Sequence, residues 1–154
     1  MMNLCFSTRG HSAALDYAAK ELVKHNWSQH DDAPVILLPV PSLDITGHIK
    51  GGGSLEDLPH EALIIGGNLN TQALKKRRHL DLLQHPLYLS ENAAITAHCA
   101  ICIAMENLPV TLQDCPILVA GWGRIGKCLA RLLRLLGASI TIAARSSADR
   151  ALTE

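Results

Sequence analysis

Ile117-Leu118-Val119-Ala120-Gly121-Trp122-Gly123-Arg124-Ile125-Gly126 is the stretch on which the reading of this chain turns. Four apolar residues run into Gly-x-Gly-x-x-Gly, and a helical pattern follows at once. Ile125, Leu129, Leu132, Leu133 and Leu136 recur on one face as far as Gly137, while Lys127, Arg131 and Arg134 point elsewhere. Ile140 to Ala143 then reads as a second strand. The glycine pattern alone is a weak signal, but between a strand and a helix in one short βαβ unit it marks a turn built to receive a dinucleotide. Gly121 permits the tight turn, Gly123 lets backbone approach a pyrophosphate, and Gly126 lets the helix lie close on the strand. The pyrophosphate is expected on the free amides near Arg124 and Ile125, where helix dipole and N–H donors favour an anion. Trp122 lies inside this turn, and Arg124 adds positive charge.

The residues after the second strand bear on which dinucleotide is taken. A site for NAD usually places a carboxylate there to accept from the ribose hydroxyls. This chain offers Ala143-Ala144-Arg145-Ser146-Ser147 instead. A guanidinium can pair with a 2′-phosphate through two hydrogen bonds and the serines can donate more, so NADP is expected over NAD. The alternative is that Arg145 is an ordinary solvated loop charge.

Working outward, Ala93 to Met105 is apolar almost all round apart from Thr96 and His98, so a helix here is expected to be sandwiched between other elements and to join two domains. Upstream, Asn3 to Phe6 reads as a strand, and Ser12 as the cap of a helix carrying Leu15, Ala18, Ala19 and Leu22 on one face. Val35 to Leu38 reads as a buried strand stopped by Pro39 and Pro41, and Ala62 to Ile65 as another, ending at Gly66-Gly67. Thr71 to Gln84 fits a helix with Leu74, Leu82 and Leu83 buried and Lys75 to Arg78 facing water. This order predicts an α/β fold: a flavodoxin- or Rossmann-like parallel-sheet domain over 1–90, a connecting helix over 91–108, and a partial Rossmann βαβ unit over 109–154.

Candidate substrate residues follow from position. Ser42, Thr46 and Gly51 to Gly53 come after the strand ending at Pro39, on the side of an α/β sheet where ligands bind, although an ordinary exposed loop accounts for them equally well. Asn92 and Thr96 lie one helical turn apart and could present polar groups to an interdomain cleft, with Asn92 also suited to cap the helix.

Composition narrows the function classes. The 154 residues are 48% hydrophobic and 18% charged, enough to bury a core, and 14 basic residues balance 14 acidic ones, so no overall field favours nucleic acid. Lys75-Lys76-Arg77-Arg78-His79 has no aromatic stacking platform beside it and reads as a solvated face. No basic start precedes an apolar leader, and no apolar run approaches the roughly 20 residues of a membrane span, so a cytoplasmic protein acting on a small molecule is expected. Cys5, Cys99, Cys102, Cys115 and Cys128 are an odd number in apolar segments, as for reduced, buried thiols. Cys99 and Cys102 have a two-residue spacing, but mid-helix and without a second pair they predict core thiols and no metal site. No catalytic triad or carboxylate pair stands out, and the catalytic residues stay unassigned.

The segment from about Ser90 to Ser147 resembles the A-subunit family of dipicolinate synthases, with a more distant likeness to D-2-hydroxyacid dehydrogenases and adenosylhomocysteinases. The resemblance is carried by Glu91-Asn92-Ala93-Ala94-Ile95-Thr96, by Ile117 to Gly126, by Leu136-Gly137-Ala138, and by Ala143 to Ser147. A weaker likeness extends through Leu37 to Ser42, Thr46-Gly47 and Ile64 to Gly67. It implies NADP-linked oxidation of a dihydrodipicolinate-type compound in spore formation, a homo-oligomer, and partnership with a second synthase subunit. Two departures stand out: His98 occupies a place where the family carries an acid, and the chain reaches Glu154 after one βαβ unit. The expectation is therefore a fragment lacking the second half of the cofactor domain; the alternative is a non-catalytic nucleotide-binding or assembly module.

Overall fold

The computed structural model describes residues 4–151, which divide after Pro86 into two compact units. In the first unit β1 (Cys5–Thr8), β2 (Ser28–Gln29), β3 (Val35–Leu37), β4 (Leu63–Gly66) and β5 (His79–Asp81) form one parallel sheet in the order β2-β1-β3-β4-β5. This is the flavodoxin-like order, as the sequence pattern leads one to expect. Of the strand read over Asn3 to Phe6, Asn3 lies outside the described residues. Helix α1 (Ala13–Lys24) opens on Ser12, whose hydroxyl accepts from the Leu15 amide at 3.1 Å, and it buries Leu15 and Ala19. Phe6 meets Trp27 edge-on, with ring centroids 6.4 Å apart.

Between β3 and β4 the chain makes no helix, because proline and glycine interrupt it throughout. Its apolar residues still close a core: Ile49, Leu55 and Leu58 pack with Ile36, Leu38, Ile64, Leu69 and Leu74. Arg77 holds this irregular crossover by donating to the carbonyls of Leu55 (2.7 Å), Leu58 (2.6 Å) and Pro59 (2.6 Å). These are charge-assisted bonds to carbonyls that a loop would otherwise leave to water.

The same arginine marks a correction. The segment Thr71 to Gln84 is not a helix but a 3-10 turn (Gln72–Leu74), the edge strand β5, and a second 3-10 turn (Leu82–Gln84). Unpaired N–H and C=O groups along β4 claim His79–Asp81 in register with Ile64–Gly66, and a sheet edge outweighs helix propensity here. Asp81 seals the arrangement by accepting from the amides of Asn68 (3.1 Å), Leu69 (2.9 Å) and Leu83 (2.9 Å).

The second unit is built on α2 (Pro86–Asn107), β6 (Pro116–Ala120), α3 (Arg124–Leu135), β7 (Ser139–Ala143) and α4 (Ser147–Ala151). β6 and β7 pair in parallel over five residues, from Pro116 opposite Ser139 to Ala120 opposite Ala143. Val119, Leu133, Ile101 and Leu112 form its core, with Ile117, Ile140 and Ile142 against them. The other face of the two strands is open: Leu118 is 64% exposed, and Ala120, Thr141 and Ala143 are exposed beside it.

Helix α2 corrects three expectations. It starts seven residues before Ala93, with Pro86 at its first position, where a missing N–H costs nothing. Asn92 is therefore interior and caps nothing. The helix buries Ala93, Ala97 and Ile101 but exposes Ile95, Ile103 and Met105, so within its own unit it is covered on one side only. By length and composition alone it is also long and apolar enough to cross a membrane, which the shorter apolar run from Ala93 to Met105 does not suggest. Cys99 and Cys102 are exposed, not core thiols, and Cys5, Cys115 and Cys128 are half-buried.

Candidate functional site

β6 delivers the chain to Gly121, whose φ of +120° only glycine adopts without strain, and the Gly121 amide donates to the Ala143 carbonyl at 2.8 Å. The turn is thus tied to the end of β7. Gly123 is the N-cap of α3 and brings no side chain to cap it, so the first-turn amides have no internal side-chain acceptor. A Cβ at Gly123 would meet nothing within 4 Å, and that open space is where a ligand's phosphates can reach backbone. At Gly126 the case is opposite: a Cβ would run into the carbonyl oxygen of Gly121 and close on Val119. The first glycine leaves room for a ligand; the second leaves room for the strand.

Two clefts flank the turn. One, of about 810 Å³, lies along β6 and the start of α3, lined by residues from Leu118 to Leu129. The other, of about 750 Å³, is lined by Ala120 to Gly123, Ala143 to Ser146 and Asp149. Each is in the size range of small-molecule sites. Together they place Gly121, Trp122, Gly123, Arg124, Ile125, Gly126, Arg145 and Ser146 around one loop. Lys127, which the helical pattern assigns to the solvent face, brings its ammonium to 5.8 Å from the Trp122 ring centroid. Arg124 and Arg145 flank the same turn, which makes its rim cationic.

Three residues differ from expectation in detail. Ser147 begins α4 and does not line the cleft. The Ser146 hydroxyl accepts from the Asp149 amide at 3.4 Å, a weak cap for that short helix. Asp149 lines the cleft although the sequence reading passes over it; the Ser-x-x-Asp spacing from Ser146 is a capping signature that places it one turn back toward the cleft.

The four substrate candidates do not form a constellation. Ser42 is fully buried; its hydroxyl donates to the Pro39 carbonyl (2.7 Å) and accepts from the Gly67 amide (2.9 Å), so it fastens the loop after β3 to the end of β4. Thr46 is exposed, with its hydroxyl 2.6 Å from Asp44 Oδ1 and 2.8 Å from His48 Nδ1. That hydroxyl, helped by the Thr46 amide, holds the Asp44 carboxyl below the usual aspartate range. Thr46 thus serves its own turn, next to a fully exposed Ile45. Asn92 and Thr96 are linked to each other, the threonine donating to the Asn92 carbonyl at 2.7 Å. Such back-bonding within a helix is ordinary. Among the described residues no three potential metal ligands gather.

No family model matches the chain. The A-subunit of dipicolinate synthase from Bacillus subtilis (strain 168) is 32% identical over 82 residues, which are 53% of this chain and 28% of that protein. The crystal structure of the Bacillus subtilis A chain superposes with a TM-score of 0.67 at 21% identity, covering 99% of this chain and 64% of that one. The A-subunit structure from Bacillus halodurans gives 0.71 at 21% identity, with 95% and 63% covered. Sequence and structural neighbours both point to the dipicolinate synthase A-subunit, and the likeness in structure shows the shared fold. The chain spans less than two thirds of each of these relatives.

Proposed function

We propose that this chain carries the phosphate- and adenosine-binding half of a nicotinamide dinucleotide site in a Rossmann-type oxidoreductase similar to the dipicolinate synthase A-subunit. The observation that carries this reading is the uncapped start of α3 facing open space at Gly123, with Arg145 and Ser146 across the same cleft. The residues fit the group: backbone donors for the pyrophosphate, a cationic rim, and a polar end beside β7 for the ribose. When bound, the dinucleotide supplies a hydride acceptor or donor. This chain's own residues bind and orient its adenosine half.

NADP is the dinucleotide we propose, because the exposed Arg145 guanidinium is suited to a 2′-phosphate. Asp149 in the same cleft works against it, since a carboxylate repels a phosphate and accepts from ribose hydroxyls. Calorimetric titration with NADP and NAD tests the point. Tighter binding of NADP is expected; equal affinities would remove the preference, and no binding of either would remove the dinucleotide reading. By analogy with the relatives we further propose a dihydrodipicolinate-type substrate, a homo-oligomer, and partnership with a second synthase subunit.

One observation favours a second reading, an assembly module: the open face of β6 and β7, with Leu118 at its centre. Parallel sheets are covered on both faces. Sedimentation of the wild type and Leu118→Asp discriminates, since an assembly held through this face dissociates in the variant while dinucleotide binding persists.

A further inference from the structure

We propose that Arg150 is a positioning residue for the ribose-phosphate end of the cleft: by gathering two consecutive carbonyls it fixes the backbone from which Arg145 meets a 2′-phosphate. This rests on the dinucleotide reading above and extends it to a residue that neither the glycine turn nor the Arg145-Ser146-Ser147 run includes.

The geometry starts where the β6–β7 ladder ends, at Ala143 opposite Ala120. The next two carbonyls, of Ala144 and Arg145, have no strand partner among the described residues. In an extended, pleated chain successive carbonyls point to opposite sides. Here both accept from one nitrogen, Arg150 Nη1, at 3.1 Å and 2.9 Å, so the chain has turned sharply between them. The turn then closes on itself: the Ser146 carbonyl accepts from the Arg150 amide at 3.1 Å, and the Ser146 hydroxyl from the Asp149 amide. Arg150 is thus held from its backbone and holds, from its side chain, the segment five and six residues before it.

Two consequences follow for an anion at this end. The negative ends of two carbonyl dipoles are neutralised by a guanidinium instead of lying bare beside a phosphate, and a second positive charge stands near Arg145. The Arg145 guanidinium is exposed, and its placement depends on the backbone that Arg150 restrains. A lysine at 150 can donate to the same carbonyls from a single ammonium, but without the planar fork that fixes direction.

The test uses the full chain as wild type, Arg150→Ala, Arg150→Lys and Arg145→Ala. NADP, NAD, 2′,5′-ADP and 5′-ADP are titrated by calorimetry, and amide hydrogen exchange of 144–148 is followed without ligand. Loss of a charge-assisted contact predicts about a tenfold weaker affinity of Arg150→Ala for NADP and 2′,5′-ADP, with NAD and 5′-ADP within about twofold. Arg150→Lys recovers part of the loss, and exchange at 144–148 accelerates in Arg150→Ala. Equal weakening toward both dinucleotides, or an unchanged NADP to NAD ratio while Arg145→Ala alters it, overturns the role of Arg150 and leaves the dinucleotide reading standing. Weaker NADP binding with unchanged exchange overturns positioning in favour of direct contact. A wild type that binds none of the four compounds overturns this proposal together with the function it rests on.

Discussion

Replacing Gly126 and Gly123 by alanine, one at a time, separates packing from ligand binding in a single loop. At Gly126 the new methyl would collide with the Gly121 carbonyl, which cannot simply retreat because the Gly121 amide is bonded to Ala143 at 2.8 Å. Overpacking of this kind costs about 1–3 kcal/mol. The better helix propensity of alanine returns at most about 1 kcal/mol, since Gly126 lies in the first turn. A net loss of about 1–2 kcal/mol lowers the melting temperature of a unit this size by about 4–8 °C per kcal/mol. At Gly123 the backbone has φ −77° and ψ −173°, which alanine adopts freely, and the methyl meets nothing within 4 Å. Weaker capping and a stiffer unfolded chain offset one another there, leaving stability within about 0.5 kcal/mol. The methyl does occupy the space assigned to the pyrophosphate, so dinucleotide affinity should fall at least about tenfold, or about 1.4 kcal/mol. Scanning calorimetry reads the first effect and titration calorimetry the second. The reasoning is refuted if Gly126→Ala melts with the wild type, or if Gly123→Ala binds as tightly as the wild type.

Three further outcomes are expected. Arg145→Ala should weaken NADP about tenfold or more and leave NAD within about twofold, while Asp149→Asn strengthens NADP a few-fold; identical effects on the two dinucleotides in titrations would contradict the assignment of this end of the cleft. Ser42→Ala leaves the Pro39 carbonyl and the Gly67 amide buried without their partner, so urea unfolding should show a loss of about 2–4 kcal/mol, and a loss below about 1 kcal/mol would mean the loop repacks. Thr46→Val should raise the Asp44 pKa toward the ordinary aspartate value in a carbon-13 titration, because the threonine hydroxyl is the largest cause of its depression. The sign fixes the window: with a lowered folded pKa, the contribution of Asp44 is present above the unfolded value and lost as pH falls through the folded one, so pH dependence attributable to this loop is confined to the acid side.

The second unit is largely legible in the sequence. Strand, glycine turn, helix and strand from Ile117 to Ala143 each announce themselves within a few residues, through apolar period and through glycines at places where side chains would collide. Ser12 as a cap and Val35 to Leu37 as a strand are legible for the same local reason. Thr71 to Gln84 is not. Its residues form helices readily, and only the unsatisfied edge of β4, distant in sequence, turns His79–Asp81 into a strand. Ser42 likewise reads as a loop hydroxyl on the ligand side until the chain folds it against Gly67.

What the sequence determined by itself is the class of fold and the place of the phosphate-binding turn, because both rest on short-range chemistry: alternation, helical period, and the absence of a Cβ. Tertiary structure alone decided which polar groups remain available to a ligand. It committed Ser42 and Arg77 to backbone carbonyls, left Gly123 facing open space, and brought Asp149 and Arg150 back to the end of β7. Those outcomes depend on hydrogen-bond partners supplied by residues remote in the chain or around a turn, and no local pattern specifies them.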